Sequence, residues 1–310
     1  MKFGSVENVD GLDLSLPKDH PDTKVVLGGK EAKKMNVSVG CAKWNKTDLK
    51  NFYPKGIKDE LEYYSTQFNS IELNATFYQP YGKEQFVKWR EKTPEGFKFF
   101  PKIPQTISHL KRLNDVKNLT ADFCHSVSGL EEKLGMIFLQ MHDNFKPKDF
   151  DRVEKFVKEF PKGVPLAIEF RSTEWFNDKA AFEKTMELFK KHNITNVLVD
   201  TAGRRDIMHM RMTTDTAFIR YVGANHPSDY DRLDPWVERI AKWKKEGLKN
   251  LYFFVHQNHE LESPLLSAYF IEKLNKKLGA SLHVPVKPPA PEPKTTKPKA
   301  KKSAGQKKLF

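Results

Sequence analysis

Charged and amide side chains recur at the ends of short apolar runs, where they could form one polar site. In chain order they are Glu72 and Asn74, Lys102, Gln140, Glu169 and Arg171, Asp200, Arg220, and His256 and Asn258. A charge on a buried strand is unfavourable unless it is paired. The three acids match the three cations, so the set forms either an ion-pair network that only closes the interior or a site for a ligand.

We favour a ligand site, because apolar packing usually stabilises an interior better than ion pairs do. Fixed cations suit an anion, and the planar fork of arginine binds phosphate or carboxylate with two parallel hydrogen bonds. Glu72, Glu169 or His109 would then act as general acid or base, and the other strand-end side chains would bind the substrate. The expected activity is hydrolysis of an anionic substrate, phosphorylated or nucleotide-like.

Metal binding is disfavoured by the same balance of charge. A divalent ion needs carboxylates and histidines in excess over the neighbouring cations, and here the cations compete with it. We therefore expect neither a metal nor a cofactor, with Glu72, Glu169, Asp200 and His256 as the conceivable ligands if a metal were bound.

Aromatic residues follow the same runs, with Trp44 after the first and Trp175 after the fifth. Such rings more often pack a lid than bind a ligand, but exposed rings would stack on a sugar or nucleobase. Of the two cysteines, Cys41 and Cys124, neither has the spacing of a metal or redox motif. Buried thiols and a reducing cytoplasm are expected.

Eight short apolar runs alternate with helical patterns along the chain. The runs cover 36–42, 70–75, 98–103, 136–141, 165–170, 196–200, 217–223 and 250–258. Between them, apolar residues recur at spacings of three and four, as on one face of a helix. Strands that alternate with helices form a parallel sheet, which either closes into a barrel or stays open and doubly wound. An open sheet usually has a glycine-rich phosphate loop after its first strand, and no such loop follows the first run here. The sequence predicts one (β/α)8 barrel of the TIM type, with the polar residues at one mouth.

The ends of the chain differ from this central part. Residues 1–35 are polar and turn-rich and predict an extended arm, residues 36–280 form the barrel, and residues 281–310 are rich in lysine and proline and predict a disordered tail. The tail carries eight lysines and one acid from residue 285 onwards, so it holds seven of the thirteen net positive charges. Neither a secretory signal nor a membrane-spanning run of roughly eighteen apolar residues is present, so no membrane partner is expected.

The last five residues suggest an alternative, non-catalytic role. Gln306, Leu309 and Phe310 resemble the QxxLF peptide by which bacterial replication and repair proteins dock on the sliding clamp. A flexible tether would leave an apolar Leu-Phe pair free to fill a pocket, and the lysines beside it would attract DNA. The chain would then be an accessory protein tethered to the clamp.

The central part resembles the YecE-like family, domain of unknown function 72, over roughly residues 36–275. The matching features are Gly40 with Trp44, the segment 72–78, Lys102 followed by 107–109, 134–135 leading into 139–140, 169–171 with Trp175, and Asp200. The segments 220–223 and 255–258 only approximate what looks like the family's RxHG and FNN patterns, and 141–143 lacks a double proline. The resemblance implies a TIM barrel and supplies no activity.

Overall fold

The computed structural model describes residues 4–286, and eight β-strands alternate with helices there. The strands are β1 (Asn36–Cys41), β2 (Ser70–Leu73), β3 (Lys98–Pro101), β4 (Ile137–Gln140), β5 (Leu166–Glu169), β6 (Thr195–Thr201), β7 (Thr216–Gly223) and β8 (Asn250–Gln257). All eight predicted apolar runs form strands. Every strand is parallel to the strand with which it pairs.

One helix precedes the first strand, one follows the last, and the others lie between strands. They are α1 (Pro21–Leu27), α2 (Glu60–Gln67), α3 (Ala75–Tyr78), α4 (Lys83–Glu91), α5 (Lys117–Val127), α6 (Phe150–Glu159), α7 (Glu174–Asn177), α8 (Lys179–His192), α9 (Ser228–Asp231), α10 (Leu233–Glu246) and α11 (Ser263–Leu278). The last helix, α11, starts with Ser263-Pro264 and ends before Gly279, which is in the left-handed conformation. Among residues 4–286, none of these helices is both long and apolar enough to cross a membrane.

Six strands form one curled parallel sheet in the order β1-β8-β7-β6-β5-β4, and β2 pairs with β3 beside it. Backbone hydrogen bonds from Gly135 N to Phe99 O (2.8 Å) and from Ile103 N to Phe138 O (2.9 Å) connect β3 to β4. The Asn69 amide connects β1 to β2 through Val39 N (2.9 Å) and Val37 O (2.7 Å). The fold is thus an α/β half-barrel with an adjoining strand pair, whereas continuous pairing around eight strands stays a prediction.

Inward-facing side chains form two layers inside the curled sheet. The lower layer is an apolar cluster that includes Phe100, Phe138, Ala167, Phe218 and Phe254. Successive side chains on a strand point to opposite faces, so residues two positions further on face inward again. Those residues are Lys102, Gln140, Glu169, Arg220 and His256, and Glu72 on β2 follows the buried Ser70 in the same way. We call these six residues the polar ring.

The N-terminal segment is more structured than the predicted extended arm. It contains α1, which begins after His20, and Thr23 Oγ1 donates to Met210 O (2.8 Å). Arg239 on α10 binds the residues just before α1 by donating to Asp19 Oδ1 (2.6 Å) and to Pro17 O (2.8 Å). The segment therefore packs against the outer helices. The sequence did not predict α1, because a helix of seven residues is too short to show a periodic pattern of apolar residues.

The C-terminal boundary at 280 also needs correction. Leu282 exchanges hydrogen bonds with the Asn275 side chain, from Leu282 N to Oδ1 (3.0 Å) and from Nδ2 to Leu282 O (2.8 Å), and Val286 N donates to Gln67 Oε1 (3.1 Å). Residues 281–286 thus belong to the packed structure. The predicted disordered tail beyond them, with the clamp-like residues Gln306, Leu309 and Phe310, lies outside the described residues.

Candidate functional site

Arg220 is the centre of the polar ring and joins its two carboxylates. Its Nε donates to Glu72 Oε2 and its Nη2 to Glu72 Oε1, both at 2.9 Å, while its Nη1 donates to Glu169 Oε2 at 2.7 Å. The side chains of both glutamates are 0% exposed and that of Arg220 is 5% exposed. The strands β2, β5 and β7 are therefore connected across the interior by one buried cation.

Glu169 also binds the second arginine of the site. Arg171 Nε donates to Glu169 Oε1 (2.8 Å), and Gln140 Nε2 donates to the same oxygen (3.0 Å). Burial alone would raise the pKa of Glu169, but the charges of Arg220 and Arg171 outweigh it and bring the pKa to about 2. Glu169 is therefore an anion at neutral pH.

Glu72 has the same character on the other side of Arg220. Asn74 Nδ2 donates to its Oε1 (2.7 Å), and His256 Nε2 lies 3.0 Å from its Oε2. Burial acts to raise the pKa of Glu72, yet the charges of Arg220 and His256 hold it well below its usual range. A carboxyl group with so low a pKa neither donates a proton at neutral pH nor accepts one readily, which argues against the acid–base role predicted for Glu72 and Glu169.

Lys102 is the cation of the ring that lacks a carboxylate partner. Its Nζ donates to Gln140 Oε1 (2.8 Å) and lies 4.1 Å from the centre of the Phe77 ring. Among the ion pairs within 4 Å in residues 4–286, none includes Lys102. Burial and the charges of Arg220 and Arg171 lower the pKa of Lys102 from 10.5 to about 7. Lys102 can therefore hold or release a proton at neutral pH.

His109 follows β3 and contacts the same Phe77 ring as Lys102. Its ring meets those of Phe77 and His142 edge to face, with centroids at 4.9 and 5.1 Å, and its Nδ1 is 2.9 Å from Ser108 Oγ. Partial burial and the charge of Lys102 lower the pKa of His109 to about 4. The imidazole is therefore neutral at pH 7 and able to accept a proton.

Asp200 does not join the ring, contrary to expectation. Its Oδ1 accepts from Arg232 Nη2 (2.7 Å) and Arg205 Nη1 (2.5 Å), and its Oδ2 accepts from Trp236 Nε1 (2.7 Å). Val197 and Val199 on the same strand face inward. Because successive side chains of a strand point to opposite faces, Asp200 faces the other way. Its side chain thus points outward and connects β6 to α10.

The two tryptophans are not exposed platforms for a ligand. Trp175 is 1% exposed, stacks on Phe170 with centroids 4.2 Å apart, and donates from Nε1 to Phe145 O (2.7 Å). Trp44 is partly buried and meets Trp89 edge to face at 5.8 Å. Trp175 is a core residue, so its predicted substrate contact is withdrawn, whereas Trp44 is in contact with the core.

The carboxylate oxygens of Glu72 and Glu169 already accept hydrogen bonds from the N–H groups of Arg220, Arg171, Gln140 and Asn74. These donors would compete with a metal ion for the same oxygens. Within residues 4–286, one set of three potential ligands has its atoms within 4.8 Å of one another, and it is Asp22, Glu183 and Glu187 on the outer surface.

Two residues that contact His109 were not predicted as part of the site, namely Ser108 and His142. His142 lies two residues after Gln140, the end of β4, a position where a polar side chain is expected to face the mouth. That signal was present in the sequence. The contact between Phe77 and the Lys102 ammonium was not, because it depends on how the short helix α3 turns above β2.

Comparison with known proteins identifies the family. The family described as "Protein of unknown function DUF72" matches residues 38–294. The UPF0759 protein YecE of Escherichia coli K12 is 26% identical over 275 residues, which are 81% of this chain and 97% of YecE. The UPF0759 protein YunF of Bacillus subtilis is 25% identical over 248 residues, 73% of this chain and 80% of YunF.

Solved structures agree with this assignment. A DUF72 family protein from Thermotoga maritima is 27% identical, covers 77% of this chain and 99% of its own, and superposes with a TM-score of 0.66. A DUF72 family protein from Enterococcus faecalis is 18% identical, covers 81% of this chain and 100% of its own, and superposes with a TM-score of 0.63. The predicted resemblance is confirmed, and the chain belongs to the DUF72 family.

Proposed function

We propose that the chain is an enzyme that binds a small anionic substrate at the carboxyl ends of its strands and transfers a proton through Lys102. The observation that carries this proposal is the position of the Lys102 amine. It is buried in the field of the Arg220 and Arg171 charges and has no carboxylate within 4 Å among the described residues. Glu72 and Glu169, in contrast, are both held by arginines. An anion would supply the missing counter-charge.

The charge of the site supports the same conclusion. Glu72 and Glu169 balance Arg220 and Arg171, so protonation of Lys102 leaves an excess positive charge in a region of low polarity. An anion bound beside Lys102 would favour the protonated amine. A site used only to close the sheet has no need of a buried lysine that lacks a paired carboxylate.

Hydrolysis of a phosphorylated or nucleotide-like substrate remains the simplest reaction to propose. Neutral His109 would accept a proton from the attacking water, and protonated Lys102 would donate one to the leaving group. The roles that the sequence suggested for the carboxylates thus pass to Lys102 and His109. Glu72 and Glu169 would instead hold Arg220 and Arg171 in place.

Binding of inorganic phosphate, followed by calorimetry, tests the anion site. Lys102→Met and Arg171→Met should each weaken binding by about tenfold or more, since one charge-assisted contact is worth roughly 1.5–3 kcal/mol. Lys98→Met is the matched control, because Lys98 begins the same strand at the opposite end of the sheet. Equal binding by all three variants would refute the proposed site.

A second candidate function rests on the C-terminal residues Gln306, Leu309 and Phe310 alone. If they dock on a bacterial sliding clamp, the fold would be delivered to sites of DNA replication or repair, whether or not it is catalytic. The observation in its favour is the QKKLF ending of the sequence. Titration of the peptide against a clamp tests it, as set out below.

A further inference from the structure

The surroundings of Lys102 fix its amine in one direction. Gln140 Nε2 donates to Glu169 Oε1 (3.0 Å), so its amide oxygen must face the other way, towards Lys102 Nζ at 2.8 Å. The Phe77 ring covers another side of the amine at 4.1 Å. Lys102 as a whole retains 6% of its surface. Gln140 is thus a positioning residue for this nitrogen.

These surroundings also favour the neutral amine. Removal from water disfavours an ammonium, and the Arg220 and Arg171 charges disfavour it further. With its pKa at about 7, roughly half of Lys102 is neutral at pH 7, which is on the order of a thousand times the neutral fraction of a lysine at the ordinary 10.5. Lysines desolvated beside another cation are the kind that attack carbonyl carbons.

We propose that Lys102 Nζ forms an imine with an oxo acid, a substrate that carries a carbonyl group next to a carboxylate. The inference rests on the proposed anion site and gives Lys102 a covalent role there. The carboxylate would lie in the field of Arg171 and Arg220, whose charges act on the amine, and this would place the adjoining carbonyl carbon at Nζ. An oxo acid supplies both the anion and the electrophile that this arrangement suits.

The reaction balances without an oxidant or reductant. The lone pair of Nζ forms a bond to the carbonyl carbon, and the C=O π pair moves to oxygen, which takes a proton that the nitrogen releases. A second proton, from solvent, leaves with the hydroxyl group as water. The product is a protonated imine. His109, neutral and within the field of the Lys102 charge, would carry the proton from nitrogen to oxygen.

Trapping with pyruvate and sodium borohydride tests the inference on the full chain. Borohydride supplies hydride to the imine carbon and fixes the adduct as a secondary amine, with a mass gain equal to pyruvate less one oxygen atom. Peptide mapping of the wild-type protein should place this gain on Lys102, with labelling roughly a thousandfold faster than at an exposed lysine at pH 7. Lys98 on the same strand is the internal comparison.

Variants and a second ligand separate the possible failures. Lys102→Arg should lose the adduct and Lys98→Met should keep it. Lactate has the carboxylate and lacks the carbonyl, so its Lys102-dependent binding reports the anion site alone. If lactate binds in this way and pyruvate leaves no preferential label on Lys102, the imine is refuted while the anion site stands. If neither ligand depends on Lys102, the proposed function fails as well.

Discussion

Replacing Arg220 by methionine should destabilise the fold strongly, because it removes the shared counter-charge of two carboxylates that are 0% exposed. Leaving one partner of a buried pair without the other usually costs about 3–5 kcal/mol. The lowered pKa of Glu169 gives a similar estimate of this cost. This pKa is about 2 in the fold against an ordinary 4.5, and at about 1.4 kcal/mol per unit this corresponds to roughly 3 kcal/mol.

The loss should depend on pH in a direction that follows from linkage. A carboxyl group with a lowered pKa stabilises the fold above its unfolded pKa, and this contribution disappears as pH falls through its folded pKa. For Glu169 that window runs from about 4.5 down to about 2, and Glu72 shifts in the same direction. The difference in unfolding free energy between wild type and Arg220→Met should therefore be largest above about pH 5 and shrink in more acidic solution.

Urea unfolding above about pH 5 and in more acidic solution measures this difference, and Arg211→Met is the matched control. Arg211 is also buried and also bridges two carboxylates, with its Nη1 2.6 Å from Glu183 Oε1 and its Nη2 contacting Asp22. The Glu183 and Asp22 side chains are 54% and 33% exposed, so water can solvate them once the arginine is gone, and the loss should be smaller. Equal losses in the two variants, or a loss at Arg220 that is constant with pH, would refute this reasoning.

Three further outcomes are expected. Between pH 7 and 10.5, the unfolding free energy of the wild type should rise relative to that of Lys102→Met by up to about 1.4 kcal/mol per pH unit. The reason is that Lys102 is protonated in the unfolded state over this range and neutral in the folded state, and chemical denaturation at several pH values measures the difference. Gly40→Ala should lower the melting temperature, because its Cβ would lie 2.1 Å from Ser70 O at the β1–β2 seam. A peptide of the last residues should bind a bacterial sliding clamp with about micromolar affinity and lose binding when Leu309 and Phe310 become alanine, as a direct titration would show.

The number and direction of the strands were predictable from the sequence, and the seams of the sheet were not. A strand buried on both faces needs apolar residues at nearly every position, so each one is visible as a run. The β1–β2 seam instead depends on the Asn69 amide and on the Tyr64 hydroxyl, which accepts from Cys41 N (2.8 Å) and donates to Ser70 O (3.0 Å). Single polar side chains outside the runs carry no periodic signal.

For the polar ring, the sequence did not always show which residues of a strand face inward. Where a strand is buried on both faces, as β6 is at all seven positions, no alternation reveals which residues face inward. Asp200 was assigned to the mouth because it is the charged residue at the strand end, but the inward position there is Thr201. Arg220 and Glu169 were placed correctly, since each lies two residues beyond an inward apolar neighbour.

Charge balance in the ring leads to one more expectation, which concerns protons rather than stability. If an anion binds beside Lys102, it raises the pKa of that amine above about 7, so binding at pH 8 must take up as much as one proton. Affinity for phosphate should then fall by up to about tenfold per pH unit above pH 7. Calorimetry in two buffers of different ionisation enthalpy measures the uptake. Lys98→Met should retain it and Lys102→Met should lose it. Binding of phosphate without proton uptake, or uptake that survives in Lys102→Met, would mean that the anion is bound elsewhere, because a nearly neutral amine cannot meet a negative charge without shifting its own equilibrium.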